Sequence, residues 1–259
     1  MIVENQVQHA HPQVQAFSDN EKLIRYGIEN GFLGLALRPI FTHDLSIALA
    51  KQTNWFILPE MDPAEFAMFS TLDNSKVKDY LSDEKKSATN LKGIFSFSFD
   101  IEYLNNMFSD CIKSHLNNTK AELSNRFVHR KHLFDSAFRM HQLGEWNASI
   151  PLFLAQIDGI FEEIFGMFLF TDANKRKNDL PKKVDDIRGE RITVLSELFL
   201  QDGYSRIKSG FRSKCSDKNS WTTRAGVMHG HQDFLDYGSQ LNSEKCIAML
   251  SYIACSECI

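Results

Sequence analysis

The sequence predicts an all-α fold, a C-terminal helical bundle preceded by a smaller helical N-terminal domain. Three observations carry that expectation. Apolar residues in the second half recur at three- and four-residue steps, the spacing of one helix face. No stretch of any length alternates apolar and polar with the period of two that marks a half-buried strand. Helix start and stop residues fall where the periodic stretches begin and end. No internal repeat is present.

Residues 1–18 are polar, Gln-rich and aperiodic and predict a loosely attached tail. Ser18-Asp19-Asn20-Glu21 offers a helix start before Leu23, Ile24 and Ile28, and Gly27, Gly31 and Gly34 interrupt what would otherwise be a long apolar helix. His43–Ala50 reads as the next helix, ending before Asn54. Trp55-Phe56-Ile57-Leu58-Pro59 is extended or a turn, because a residue before proline is pushed out of helical geometry. Asp62-Pro63 opens a helix with proline in its first turn and Phe66 and Phe69 on one face. Residues 73–93 are polar and charged, a connector or an exposed helix. A helix carrying Ile101, Leu104, Phe108, Cys111 and Ile112 completes a helical N-terminal region of unknown role over residues 19–125.

Residues 126–259 hold the expected bundle. Phe127, Phe134, Phe138 and His141 lie near one stripe, and Gly144 is a helix stop. From Ser149 to Phe170 the positions Ile150, Leu154, Ile157, Phe161, Ile164 and Phe168 predict a deeply buried helix. Another helix is expected from Val184 to Leu200, stopped at Asp202-Gly203. The last begins at Asn242-Ser243-Glu244 and carries Ile247, Leu250, Ile253 and Ala254.

The length of 259 residues suits two small domains, and 43% hydrophobic residues with 21 Phe provide core material. The formal net charge of −4 does not advertise nucleic acid, so such a partner needs a local basic patch. Residues 175–191 and 206–224 are rich in Lys and Arg, the second with six bases against Asp217 alone; otherwise both are solvated surface. Five cysteines without framework spacing, including a lone Cys255–Cys258 pair near the end, point to free thiols in a reducing compartment. The first residues lack the charged start and apolar core of a signal peptide, and no apolar run approaches the roughly 20 residues of a membrane span. A cytoplasmic location without membrane contact is expected.

Chemistry concentrates in Arg224-Ala225-Gly226-Val227-Met228-His229. On a helix, an arginine and a histidine at this separation fall a little beyond one turn and can reach one phosphodiester. A histidine near neutral pKa exchanges protons with a 2′-hydroxyl or leaving oxygen, while a guanidinium fork neutralises the phosphate as charge develops. No metal or other cofactor is needed. The structural alternative makes His229 a helix-end residue and Arg224 an ion-pair partner. His229, His231 and Asp233 form a string without a further ligand to complete a metal shell. His129, His132 and His141 are too irregularly spaced for a compact site. Tyr237-Gly238 reads as a turn. Asp158, beside Leu154, Phe161 and Phe165, is costly there unless paired; it either orients Arg224 or His229 as a supporting residue or forms a structural ion pair. No Gly-rich phosphate loop, GxSxG elbow, zinc-protease or kinase signature occurs, which sets those classes aside.

Three stretches, WNASIPLFLAQIDGIFEEIF at 146–165, TTRAGVMHGHQDFLDYG at 222–238 and LNSEKCIAMLSYI at 241–253, resemble the HEPN superfamily. They look like that family's inner helix, its R-x4-6-H motif and the helix that follows. The resemblance covers most of residues 130–259 and implies a metal-independent endoribonuclease, a homodimer in which two motifs meet, with Arg224 and His229 catalytic. It further implies RNA as partner, with Lys208, Arg212 and Lys214 near the motif as candidate contacts, and a prokaryotic toxin or anti-phage defence role alongside an antitoxin or other defence protein. Ala225 stands where the family usually has a polar residue, and Thr223 where asparagine is frequent. The alternative is a non-catalytic HEPN dimerisation, adaptor or RNA-binding module.

Overall fold

The computed structural model describes residues 22, 24–30, 36–82, 88–169, 194–195, 197–198, 227–228, 230, 232 and 235–255. These are mostly helical, with one short two-stranded ribbon among them, and the fold is all-α as the apolar spacing predicts. They divide into two compact units, one drawn from residues up to Asp44 and from Ser70–Phe97, the other from Leu45–Phe69 and from Ser98 onward. The boundary expected at residues 125/126 falls inside the second unit.

In the first unit, Ile24, Leu37 and Ile40 pack with Val77, Tyr80, Leu91 and Ile94. Ile40 lies on α1 (Arg38–Thr53), and Val77 and Tyr80 on α2 (Asn74–Ser82). The stretch 73–93, read from sequence as connector or exposed helix, therefore carries a buried face. Two apolar residues three apart in a polar run are too sparse a pattern to announce it. Antiparallel β1 (Ser70–Leu72) and β2 (Phe95–Phe97) pair with Thr71 opposite Ser96. Strands of three residues are too short for alternation to register, which is why the sequence reading lacks them. Asp44 is buried because its carboxylate accepts the amides of Gly93 at 3.0 Å and Phe95 at 3.3 Å. That bond holds the turn in which Gly93 takes a left-handed φ of 70°.

In the second unit α1 ends at Asn54, whose φ of 61° suits a residue that tolerates left-handed backbone. Trp55 to Leu58 then run buried and outside any helix or strand ahead of Pro59. Asp62 accepts the amide of Ala64 at 2.9 Å and starts a tight 3-10 helix, Pro63–Phe69, that buries Phe66. Asp100 caps α3 (Ile101–Arg126) by accepting from Tyr103 N. Ile101, read as a core position, is 48% exposed because it sits in the first turn, beyond the packed face. Trp55 stacks on Phe108 of α3 at 4.4 Å and donates its indole N–H to Asn105 at 2.9 Å.

A short turn, Val128–Arg130, leads into α4 (Lys131–Gln142), with Phe127, Phe134 and Phe138 all buried. Gly144, at a φ of 77°, makes the reversal into α5 (Trp146–Phe165). Ile150, Leu154, Ile157 and Phe161 of α5 have no exposed surface, as their spacing predicts. The helix starts before Ser149 and stops earlier than Phe170, because Gly166 adopts a φ of 65° and turns the chain out. Phe168, read as the next core position, consequently lies beyond the helix and is 55% exposed.

Arg130 crosses α5 at Gly159, bonding Gln156 at 3.0 Å and Glu163 at 2.6 Å on either side. A Cβ at 159 would come within 2.6 Å of its guanidinium. Val194, Leu195 and Leu198, within the helix expected from Val184 to Leu200, are buried; most of that stretch lies outside the described residues. The final helix α6 (Gln240–Ala254) packs against α5 and α3. Its cap is Ser239, which accepts from Asn242 N, so the Asn242-Ser243-Glu244 start expected from sequence falls inside the helix.

Because Ile157 lies in the core with no exposed surface, Ile157→Asp should lower stability by more than about 3 kcal/mol. Urea denaturation reads this directly, and a midpoint equal to wild type would contradict the packing.

Candidate functional site

Arg224 and His229, with Lys208, Arg212 and Lys214, lie outside the described residues. The described positions inside the motif are Val227 and Met228, which are helical, Val227 buried and Met228 43% exposed. Gly230, at a φ of 61°, accompanies a backbone bond from its amide to Val227 O at 3.2 Å.

Asp158, the supporting candidate, stands on α5 and is 9% exposed. It sits among the apolar stripe as its spacing indicates, and it has an interaction partner.

The segment behind the motif is tied to α5 through a defect in that helix. Pro151 has no N–H, so it cannot close the usual bond back to the carbonyl four residues earlier, that of Asn147. Tyr237 takes up that carbonyl, its hydroxyl donating to Asn147 O at 2.9 Å. Asn242 of α6 in turn donates to Tyr237 O at 2.9 Å. Gly238 lies so near the Asn147 side chain that a Cβ there would overlap the amide. Tyr237-Gly238 is thus a turn, as read from sequence, and also the junction of α5, α6 and the chain leaving the motif.

At the head of α6 the structure assembles polar groups that no local pattern links. His141 Nδ1 lies 2.8 Å from Ser243 Oγ, and Ser149 Oγ 2.9 Å from the same hydroxyl. Glu244 accepts from Ser109 at 2.5 Å and from Gln240 at 2.7 Å. Burial lowers the His141 pKa below its ordinary value, and the nearby Glu244 charge opposes that shift. A histidine against a serine hydroxyl has the form of a base and nucleophile, yet Ser243 and Ser149 have no exposed surface. A hydroxyl that cannot meet a substrate satisfies the core instead. The sequence reading set His141 aside for its spacing from His129 and His132; its partner lies 102 residues away, and no sequence signal joins them.

Lys245 completes the set. It is 6% exposed, and its ammonium stands 5.5 Å from the Trp55 ring centroid. No carboxylate pairs with it among the described residues. Desolvation lowers its pKa from 10.5 to about 8. Cys111, Cys246 and Cys255 are free thiols. Burial, aided by Glu60 and Glu65, pushes Cys111 up to about 11, so this thiol is not an activated nucleophile. Among the described residues no group of three His, Cys, Asp or Glu is placed to hold a metal ion, and no helix is long and apolar enough to cross a membrane. No family model, curated protein or solved structure matches the chain.

The proline-freed carbonyl makes a specific demand on stability. Tyr237→Phe should cost roughly 1 kcal/mol, and less in a Pro151→Ala background, where the helix supplies its own donor to Asn147. A double-mutant cycle showing equal cost in both backgrounds would disprove the link.

The Lys245 pKa, lower in the fold than in the unfolded chain, means that the unfolded state binds more protons between about pH 8 and 10.5. Stability from this residue therefore rises with pH across that window and is penalised below it. Lys245→Met should stabilise the protein by on the order of 1–3 kcal/mol at pH 7, after allowing for the lost ring contact. The gain should shrink at pH 10; denaturation curves with a constant difference at both pH values would refute it.

Proposed function

We propose that residues 126–259 form a HEPN-type, metal-independent endoribonuclease that acts as a cytoplasmic homodimer, a prokaryotic toxin or anti-phage defence effector held in check by an antitoxin or other defence protein. One observation carries the reading: an arginine and a histidine, Arg224 and His229, stand five positions apart in the interior of a segment between two stretches resembling the family's inner and following helices. It is supported by the positions of those stretches, which coincide with α5 and with all but the first and last residues of α6, two helices in direct contact. The chain returning from the motif is fastened to the head of α5 by Tyr237, a geometry suited to presenting a short helical motif beside the bundle.

In this reading Arg224 binds the scissile phosphate through its planar fork and offsets the charge that grows on the equatorial oxygens. His229 takes the 2′-hydroxyl proton or returns one to the leaving 5′-oxygen, with the second protomer's motif supplying the complementary group. The 2′-oxygen attacks phosphorus, the P–O5′ bond breaks, and the products are a 2′,3′-cyclic phosphate and a 5′-hydroxyl. Asp158 is the supporting carboxylate, and Lys208, Arg212 and Lys214 draw the RNA strand to the motif. A second reading, a non-catalytic dimerisation or adaptor module, is favoured by Ala225, an apolar residue directly after the arginine.

Purified protein incubated with mixed RNA in EDTA should yield cyclic-phosphate ends. His229→Ala and Arg224→Ala should each lower the cleavage rate roughly 100- to 10,000-fold with the melting temperature and dimer unchanged. Arg224→Lys should also fail, since an ammonium lacks the bidentate fork. Full EDTA-resistant cleavage by His229→Ala would falsify the catalytic assignment, and unfolding of the same variant would move the pair to a structural role.

A further inference from the structure

We propose that the groove between α3 and α4 binds the sugar-phosphate backbone of RNA. The inference rests on the reading of RNA as partner and adds a contact surface distant in sequence from the motif. The groove is an open trough of about 490 Å³ lined by Lys120 on α3 and by Asp135, Ser136, Arg139 and Gln142 on α4. Ser136, Arg139 and Gln142 recur every third residue, so their side chains follow one helix face for roughly 9 Å.

The charge is positive once the internal pairing is counted. Asp135 is the carboxylate of the groove, and it is engaged twice, by Lys120 at 2.8 Å and by Lys131 at 3.0 Å. Those two lysines also lower its pKa, keeping it ionised. Arg139 is exposed and enters no ion pair or side-chain hydrogen bond among the described residues. Lys120 and Arg139 against one carboxylate leave the lining with an excess of one positive charge, and Lys131, outside the lining, holds the other oxygen of that carboxylate. Arg139 provides the planar donor fork that recognises phosphate, and Gln142 provides an amide beside it.

The lining also chooses between polyanions. Its residues are polar by type, with aliphatic stems between the polar tips, and a cationic excess on such a surface suits nucleic acid, whose interfaces are polar and positively charged. Among the described residues no aromatic ring lines the trough to stack a base, so the strand is held by its phosphates and the contact carries no sequence preference.

The test uses the full chain carrying His229→Ala, so that bound RNA survives, with a fluorescein-labelled oligouridylate followed by anisotropy at rising KCl. Adding Arg139→Gln should weaken binding several-fold and reduce the slope of log affinity against log salt by about 1, the signature of one lost phosphate contact. Lys78→Gln, which removes a charge from the other unit, should change neither. Since Arg139 is exposed, its variant should melt with the parent. Unchanged affinity and slope in Arg139→Gln would overturn the groove, as would absence of oligouridylate binding by the parent. Displacement of the RNA by a poly-glutamate peptide at equal concentration would also overturn it, in favour of an acidic protein partner. Cleavage by the wild-type chain is scored separately. Groove binding without cleavage sinks the nuclease reading alone, and cleavage with an indifferent Arg139→Gln sinks the groove alone.

Discussion

Every residue of α6 from Ser243 to Ala254 is buried, and that single condition organises the larger unit. A helix buried on one face can send its polar side chains to water; a helix enclosed all round cannot, and each polar group must be met inside. Ser243 is met by His141 of α4 and Ser149 of α5, and Glu244 by Ser109 of α3 and the neighbouring Gln240. The bonds from His141, Ser149 and Ser109 therefore join α6 to three different helices of the bundle, while Gln240 braces Glu244 from within α6. Apolar packing brings these helices together without fixing their rotation, whereas hydrogen bonds of defined length specify it. Lys245 and Ser251 are exceptions, the first an ammonium resting on an indole face with its charge poorly compensated, the second a buried hydroxyl without a hydrogen-bond partner among the described residues.

Such enclosure also explains which parts of the fold were legible in the sequence. Ile150, Leu154, Ile157 and Phe161 announce α5 because a buried stripe leaves a periodic trace, and Gly144 and Pro59 mark their boundaries through backbone sterics alone. The misreadings have one physical origin: local patterns do not reveal where a helix stops being covered. Phe168 continues the α5 period in sequence, but Gly166 has already turned the chain away. Ser239 and Ser243 are equally good caps by residue type, and only the depth of the second inside the bundle separates them. The Asp44 carboxylate bonds amides 49 and 51 residues away, and His141 meets Ser243 across 102 residues, separations to which periodicity is blind.

The candidate site was legible in a different way. Arg224 and His229 stand out through their chemistry and neighbouring text, whereas their geometry belongs to a segment beyond the described residues. Asp158 could be placed on a buried face from spacing. The groove residues Lys120 and Arg139 left no mark, since two unremarkable surface cations on different helices become a feature only when α3 and α4 lie side by side. The overall charge of −4 makes this local excess more informative, because attraction of a polyanion must come from such places and not from the molecule as a whole.

Pro151 interrupts the hydrogen-bond ladder of α5 at one rung, and Tyr237 fills it from outside. That makes the attachment of the motif's trailing chain separable from the core. A bond of about 1 kcal/mol opens and closes through local fluctuation, far more often than the bundle unfolds. Amide hydrogens around residues 235–239 would then exchange with solvent on a faster clock than those of α6 a few residues later. Sequence change at this one phenol retunes how tightly residues 235–239 are held to α5 at a cost of about 1 kcal/mol, a dial that selection or an engineer can turn while the frame of the bundle stays in place.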